Sequence, residues 1–70
     1  MQLVKSEMAG TVLAVNVKVG DKVTVGQEVL VLESMKMEVP LQSAHAGTVS
    51  KVFKKVGDFV NEGETLLELQ

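Results

Sequence analysis

The sequence contains no cysteine, no arginine, no tryptophan and no tyrosine, and a single proline. Without cysteine there are no disulfides and no thiolate metal sites, so a stapled secreted scaffold is excluded and the core must hold by packing alone. Without arginine, and with Phe53 and Phe59 as the only aromatics, the chain lacks the basic patch and stacking rings of a nucleic-acid binder. The net charge of −2 points the same way. No apolar run approaches the roughly 20 residues of a membrane span, and the N-terminus lacks a signal-peptide pattern. The expectation is a cytoplasmic protein that contacts neither nucleic acid nor membrane. With 70 residues there is room for one domain with a thin core, and little room for a substrate pocket beside a catalytic constellation.

What is present is a repeat. Residues Ala9–Glu33 align without a gap on Ala46–Gln70, at an offset of 37, with 13 identities in 25 pairs. Ala9-Gly10-Thr11-Val12 matches Ala46-Gly47-Thr48-Val49, and Lys18-Val19-Gly20-Asp21 matches Lys55-Val56-Gly57-Asp58. Two copies of one supersecondary unit, related by an approximate two-fold axis, follow. Valine dominates both copies, and β-branched residues suit a half-buried pleated surface. Thr11–Val17, Val29–Glu33, Thr48–Phe53 and Thr65–Leu69 are predicted strands. By period alone Val29–Met37 also fits a short buried helix. Gly20-Asp21, Gly57-Asp58, Gly26 and Gly63 read as turns, where glycine accepts positive φ. About four short strands per unit make a sandwich or flattened barrel, and neither half could bury its apolar face alone.

Between the copies lies Ser34-Met35-Lys36-Met37, predicted as a hairpin turn, followed by Glu38–Gln42. Pro40 removes a ladder donor, so that segment should be an edge strand or hold a bulge. Under the offset, the partners of Lys36 fall just beyond the chain ends, so the symmetry places this turn at one end of the molecule and both termini at the other. Methionine is usually core filler. One reading tucks Met35 and Met37 onto the barrel end and leaves Lys36 an ordinary solvated lysine. The other makes the tip a recognition handle, a nucleophile bracketed by adaptable apolar surface. The residues alone leave both open.

His45 stands alone and cannot build a familiar metal site. Lys54-Lys55 reads as a solvated turn. Asp21 and Asp58 occupy identical repeat contexts and read as two copies of one turn rather than a catalytic pair.

The string Glu33-Ser34-Met35-Lys36-Met37-Glu38 resembles the biotin-attachment motif of biotinyl domains, centred on Met-Lys-Met. The two Gly-Thr-Val and two Val-Gly-Asp elements sit where that family has them, so the resemblance spans about Met8 to Leu69. It implies an all-β flattened barrel, or sandwich, of two four-stranded antiparallel sheets with quasi-two-fold symmetry over residues 1–70. It implies covalent biotin on Lys36, with Met35 and Met37 recognised by a biotin protein ligase and Glu33 in a weaker supporting role. It also implies a carrier rather than an enzyme, moving a carboxyl group between a biotin carboxylase and a carboxyltransferase. Lipoyl domains share the fold but usually carry Asp before the lysine. Met35 favours biotin, and lipoate stays as the minority alternative. An unmodified adaptor barrel and a small enzyme are the remaining readings. The protruding thumb of some acetyl-CoA carboxylase carriers is absent, since only Leu13–Lys18 separates Val12 from Val19. The expectation is a monomer, either a complete small carrier or a domain of a larger subunit.

Overall fold

A computed structural model describes all of Met1–Gln70. Eight strands and no helix are present: β1 Gln2–Lys5, β2 Gly10–Val15, β3 Lys22–Val23, β4 Glu28–Ser34, β5 Met37–Gln42, β6 Gly47–Val52, β7 Phe59–Val60 and β8 Thr65–Leu69. They form two four-stranded sheets, ordered β1-β8-β6-β3 and β5-β4-β2-β7, with every pairing antiparallel. The run from Val29 that left a helix open is strand, as its β-branched content favours.

The two sheets are copies of each other. A shift of 37 residues, up for the first half and down for the second, converts the pairing Leu3–Glu68 of one sheet into Pro40–Val31 of the other, Val49–Leu69 into Val12–Leu32, and Lys22–Thr48 into Phe59–Thr11. Even the register shifts recur. The break between Val12 and Ala14 reappears between Val49 and Lys51. The loops interlock across the halves: Gly20 N–H donates to Val49 C=O and Gly57 N–H to Val12 C=O, each at 2.9 Å. Gly20 and Gly57 have φ of 97° and 95°, the left-handed backbone that the two Gly-Asp turns were read to need.

Thirteen apolar side chains form the core, and twelve of them are six matched pairs. These are Val4/Leu41, Val12/Val49, Val23/Val60, Val29/Leu66, Leu30/Leu67 and Leu32/Leu69, with Val17 the unmatched member. Each sheet contributes half of every pair, so neither half can bury its apolar face without the other.

Three strands were not named from the sequence: β1 and the two-residue strands β3 and β7. The strand β1 is an outer strand whose residues match β5 at no position, and only Val4 and Leu41 keep the apolar character that faces the core. Ser6 and Ser43, also 37 apart, are buried, and each hydroxyl bonds the backbone two residues on, at Met8 and His45. Those local turns satisfy the backbone where the chain leaves an outer strand and crosses to the other sheet. His45 contributes backbone only to this arrangement. The expected edge position of Pro40 holds: β5 is outermost in its sheet, where a missing N–H costs no ladder bond. Lys54 forms the one ion pair, 2.8 Å from Glu64, and its hydrogen bond holds the Glu64 carboxyl below the usual range.

Candidate functional site

β4 and β5 are the only strands consecutive in the chain that pair with each other, and the loop that joins them is the shortest in the molecule. Ser34 pairs with Met37, so both residues belong to strands and the turn is only Met35-Lys36. The four-residue turn read from sequence therefore shrinks to two. Met35 and Lys36 have φ of 53° and 65°, and they are the only non-glycine residues with positive φ. Two positive-φ residues in a two-residue loop are the signature of a type I′ turn, whose twist matches that of the flanking strands and whose favoured sequence is Asn-Gly. An L-residue with an ordinary side chain pays roughly 1–2 kcal/mol for this conformation. The hairpin register, fixed by burial of Leu30 and Leu32 on the inner face, imposes it.

The tip side chains stand away from the barrel. Met35 is 92% exposed and Met37 66%. The reading in which both tuck onto the barrel end is not what the structure holds. Lys36 is exposed as well, and its amine has no ion-pair partner. Glu33 lies on β4 directly opposite Glu38 on β5, with both side chains exposed on the outer face. Replacing Met35 with Asn, which tolerates left-handed backbone, should raise stability by up to about 1 kcal/mol. Urea denaturation would show this as a higher midpoint at unchanged slope, and a lower midpoint would contradict the assignment of strain.

Two glycines that the repeat made visible, without suggesting a purpose, support the hairpin and its counterpart. A Cβ on Gly10 would sit 2.7 Å from the Glu33 carbonyl oxygen and 3.3 Å from the Leu32 side chain. A Cβ on Gly47 would sit 2.8 Å from the Gln70 carbonyl oxygen. Close backbone approach, not a turn, requires glycine at both places. Gly10→Ala should displace β4 just before the tip and cost about 1–3 kcal/mol. A thermal melt matching the parent would show that β4 moves aside freely.

The turn also stands at the end expected of it. Strand β2 starts at Gly10, beside Glu33, and runs about 20 Å away from the tip. The loop after it is tied by Gly20 to Val49, two residues into β6. Gly47, at the start of β6, lies beside Gln70, the residue that follows β8. The tip and the chain ends therefore occupy opposite poles of a molecule with extents of 32 × 19 × 19 Å.

Comparison with known proteins bears on the family and the fold. Residues 2–69 match the protein family described as "Biotin-requiring enzyme". Over 38 residues the chain is 56% identical to the biotin/lipoyl attachment protein of Bacillus subtilis, covering 54% of this chain and 52% of that one. It is 53% identical over 36 residues to the mitochondrial propionyl-CoA carboxylase alpha chain of Homo sapiens, covering 51% of this chain and 5% of that one. Over 35 residues it is 54% identical to the gamma subunit of glutaconyl-CoA decarboxylase from Acidaminococcus fermentans, with coverage of 50% and 24%. The matched stretch spans at most about half the length of these relatives. Among solved structures, Kluyveromyces lactis urea carboxylase superposes with a TM-score of 0.89 at 32% identity, over 99% of this chain and 6% of that one. A single-chain, multi-domain long-chain acyl-CoA carboxylase gives 0.85 at 32% identity, over 94% and 7%.

Proposed function

The chain belongs to the biotin-requiring enzyme family, as a biotinyl domain, and from that membership we propose that it is a biotin carboxyl carrier whose attachment point is the Lys36 amine. The observation that carries the proposal is the tip itself. A single lysine stands on a strained two-residue turn, exposed, unpaired and flanked by two exposed methionines. Nothing in the barrel requires Met-Lys at a position where Asn-Gly would fold better.

The residues fit covalent attachment. A ligase must bring an amine onto an activated biotinyl group, and an extended hairpin end can enter a cleft that a flat sheet could not. The Lys36 nitrogen would attack the carbonyl of biotinyl-adenylate. The new C–N bond forms, the carbonyl–phosphate C–O bond breaks, and AMP leaves with the electron pair. Ordinary lysine amines are almost wholly protonated near neutral pH, so removal of the amine proton falls to the ligase. Met35 and Met37 offer apolar surface to that ligase, and Glu33 offers a carboxylate beside it. Biotin, once attached, would supply a ureido nitrogen able to accept and release a carboxyl group. The chain would supply position: a rigid barrel with a projecting arm keeps the group at high local concentration at a biotin carboxylase and then a carboxyltransferase. The carboxylases among its relatives support those partners.

Lipoate is the second reading, favoured by the name of the Bacillus relative, which includes both groups. Coexpression with a biotin protein ligase, followed by intact-mass and fragment spectra, tests the proposal. One biotinyl group on Lys36 is expected. A folded, unmodified chain would transfer the assignment to a lipoyl carrier, tested with a lipoyl ligase, or to an unmodified adaptor.

A further inference from the structure

The two halves of the chain are wrapped around each other and joined at one place. The first half holds β1–β4 and the second β5–β8. The ladders β1–β8, β3–β6, β2–β7 and β4–β5 all run between the halves, and only β2–β4 and β6–β8 lie within one. Loop bonds cross over in the same way. Ser6 N–H donates to Glu64 C=O, Gly63 N–H to Ser6 C=O, Gly26 N–H to Ser43 C=O and Ser43 N–H to Gln27 C=O. Covalently, the halves meet only through the Met35-Lys36 turn.

That turn is the strained part of the backbone. Both residues are held at positive φ, and neither is the glycine or asparagine that adopts it readily. Straightened, each would return to the extended region that its neighbours in β4 and β5 already occupy. The two strands would become one, and the second half could no longer fold back on the first. A second copy opened in the same way presents the missing half, residue for residue. Every ladder, loop bond and matched core pair between the halves is then remade between the copies, and only the two turns differ. The register Glu33–Glu38, Ser34–Met37 runs on through the junction and sets Met35 of one copy opposite Lys36 of the other.

We propose that Met35-Lys36 is the hinge of a domain-swapped dimer, and that the dimer is a form in which Lys36 is withdrawn from modification. The partner is fixed by the fold, since only another copy of this chain carries the complementary half. In dilute solution each half meets its own partner at far higher effective concentration, and the closed monomer prevails. Rising concentration, with the release of strain in two turns, favours the dimer. Exchange between the forms requires the halves to part and expose the core, so each form persists once made. In the dimer Lys36 lies in mid-strand at the centre of a continuous ladder, and no projecting end remains for a ligase cleft to receive. The loss of modification rests on the reading of Lys36 as the acceptor; the dimer does not.

The test begins by refolding the chain from urea at micromolar and at millimolar concentration, with size-exclusion chromatography and light scattering. The millimolar sample should contain a dimer that survives dilution. Leu3→Cys with Glu68→Cys, in a chain that has no other cysteine, reports which halves are paired. Pro40 has no N–H, so the pair Pro40–Val31 and its copy Leu3–Glu68 are of the closer, non-hydrogen-bonded kind, within reach of a disulfide. Oxidised monomer should stay one chain on a denaturing, non-reducing gel, and oxidised dimer should run as two. Met35→Asn with Lys36→Gly should lower the dimerisation constant about a hundredfold, a factor of ten for each turn that a dimer straightens. Deleting Met35 and Lys36 preserves the alternation of faces but leaves nothing to turn with, and should give dimer at every concentration. Separated parent dimer should gain biotin from biotin protein ligase, ATP and biotin at least tenfold more slowly than monomer. No dimer after millimolar refolding, a single-chain disulfide within the dimer, or a folded monomer from the deletion would overturn the hinge. Equal rates for dimer and monomer would overturn the withdrawal of Lys36. A monomer that is itself never modified would instead sink the acceptor assignment, and the disulfide pattern would still decide the hinge.

Discussion

Lys36→Arg should leave coexpression with a biotin protein ligase at its unmodified mass, while the parent gains one biotinyl group. Arginine preserves the charge and the long stem at the tip, so the surface field barely changes. It removes only the chemistry, because a guanidinium is not deprotonated in proteins and cannot attack the activated carbonyl. The fold should be indifferent. Lys36 is exposed, takes no part in an ion pair, and lies outside the core cluster. The other six lysines do not substitute, since none occupies a left-handed turn. The variant should therefore melt with the parent and carry no biotin. Biotin recovered on the variant would place the acceptor elsewhere and sink the assignment of Lys36.

Leu30→Ala is the substitution expected to cost most in stability. Leu30 is fully buried at the centre of β4, and truncating a leucine in such a place costs about 2–5 kcal/mol. A domain of this size holds on the order of 4–10 kcal/mol in all, so the loss would be at least about a fifth of the stability and could reach all of it. Leu67, its counterpart on β8, is equally buried. Leu67→Ala should cost a similar amount although it lies in the other sheet, and both variants should unfold in a single urea transition. Two separate transitions in either variant would mean that the halves have independent stability, contrary to a core built from matched pairs. The Leu30 variant, where it remains folded, should still be modified, since its effect reaches the tip only through the strand.

The repeat carried most of the architecture into the sequence. Thirteen identities at one offset implied two equivalent units, and the sheets superpose on that offset strand for strand. The first strand escaped because outer strands face water on most positions and tolerate change. Gln2–Lys5 shares no residue with Val39–Gln42, and only the inward Val4/Leu41 position is constrained. The candidate site was legible as residues but not as geometry. Met-Lys lacks every usual mark of a two-residue turn, because the hairpin register, not the turn's own preference, sets its backbone. The purpose of Gly10 was invisible for a related reason: the atom that excludes a side chain there belongs to Glu33, 23 residues away. Phe59 stood out in the sequence only as one of two aromatics, since its exposure depends on which strand β7 joins.

The matched pairing of outer strands has a consequence for chain connectivity. Gln2 sits opposite Leu69 as Val39 sits opposite Leu32, so the two chain ends face each other in the register that Glu33 and Glu38 occupy beside the tip. A bridge of four residues, the length of Ser34–Met37, would therefore join Gln70 to Met1 and close the backbone into a ring. The ring could then be cut in any exposed loop without changing a strand partner. If the bridge repeated Ser-Met-Lys-Met, the closed molecule would carry an exposed Met-Lys turn at each pole.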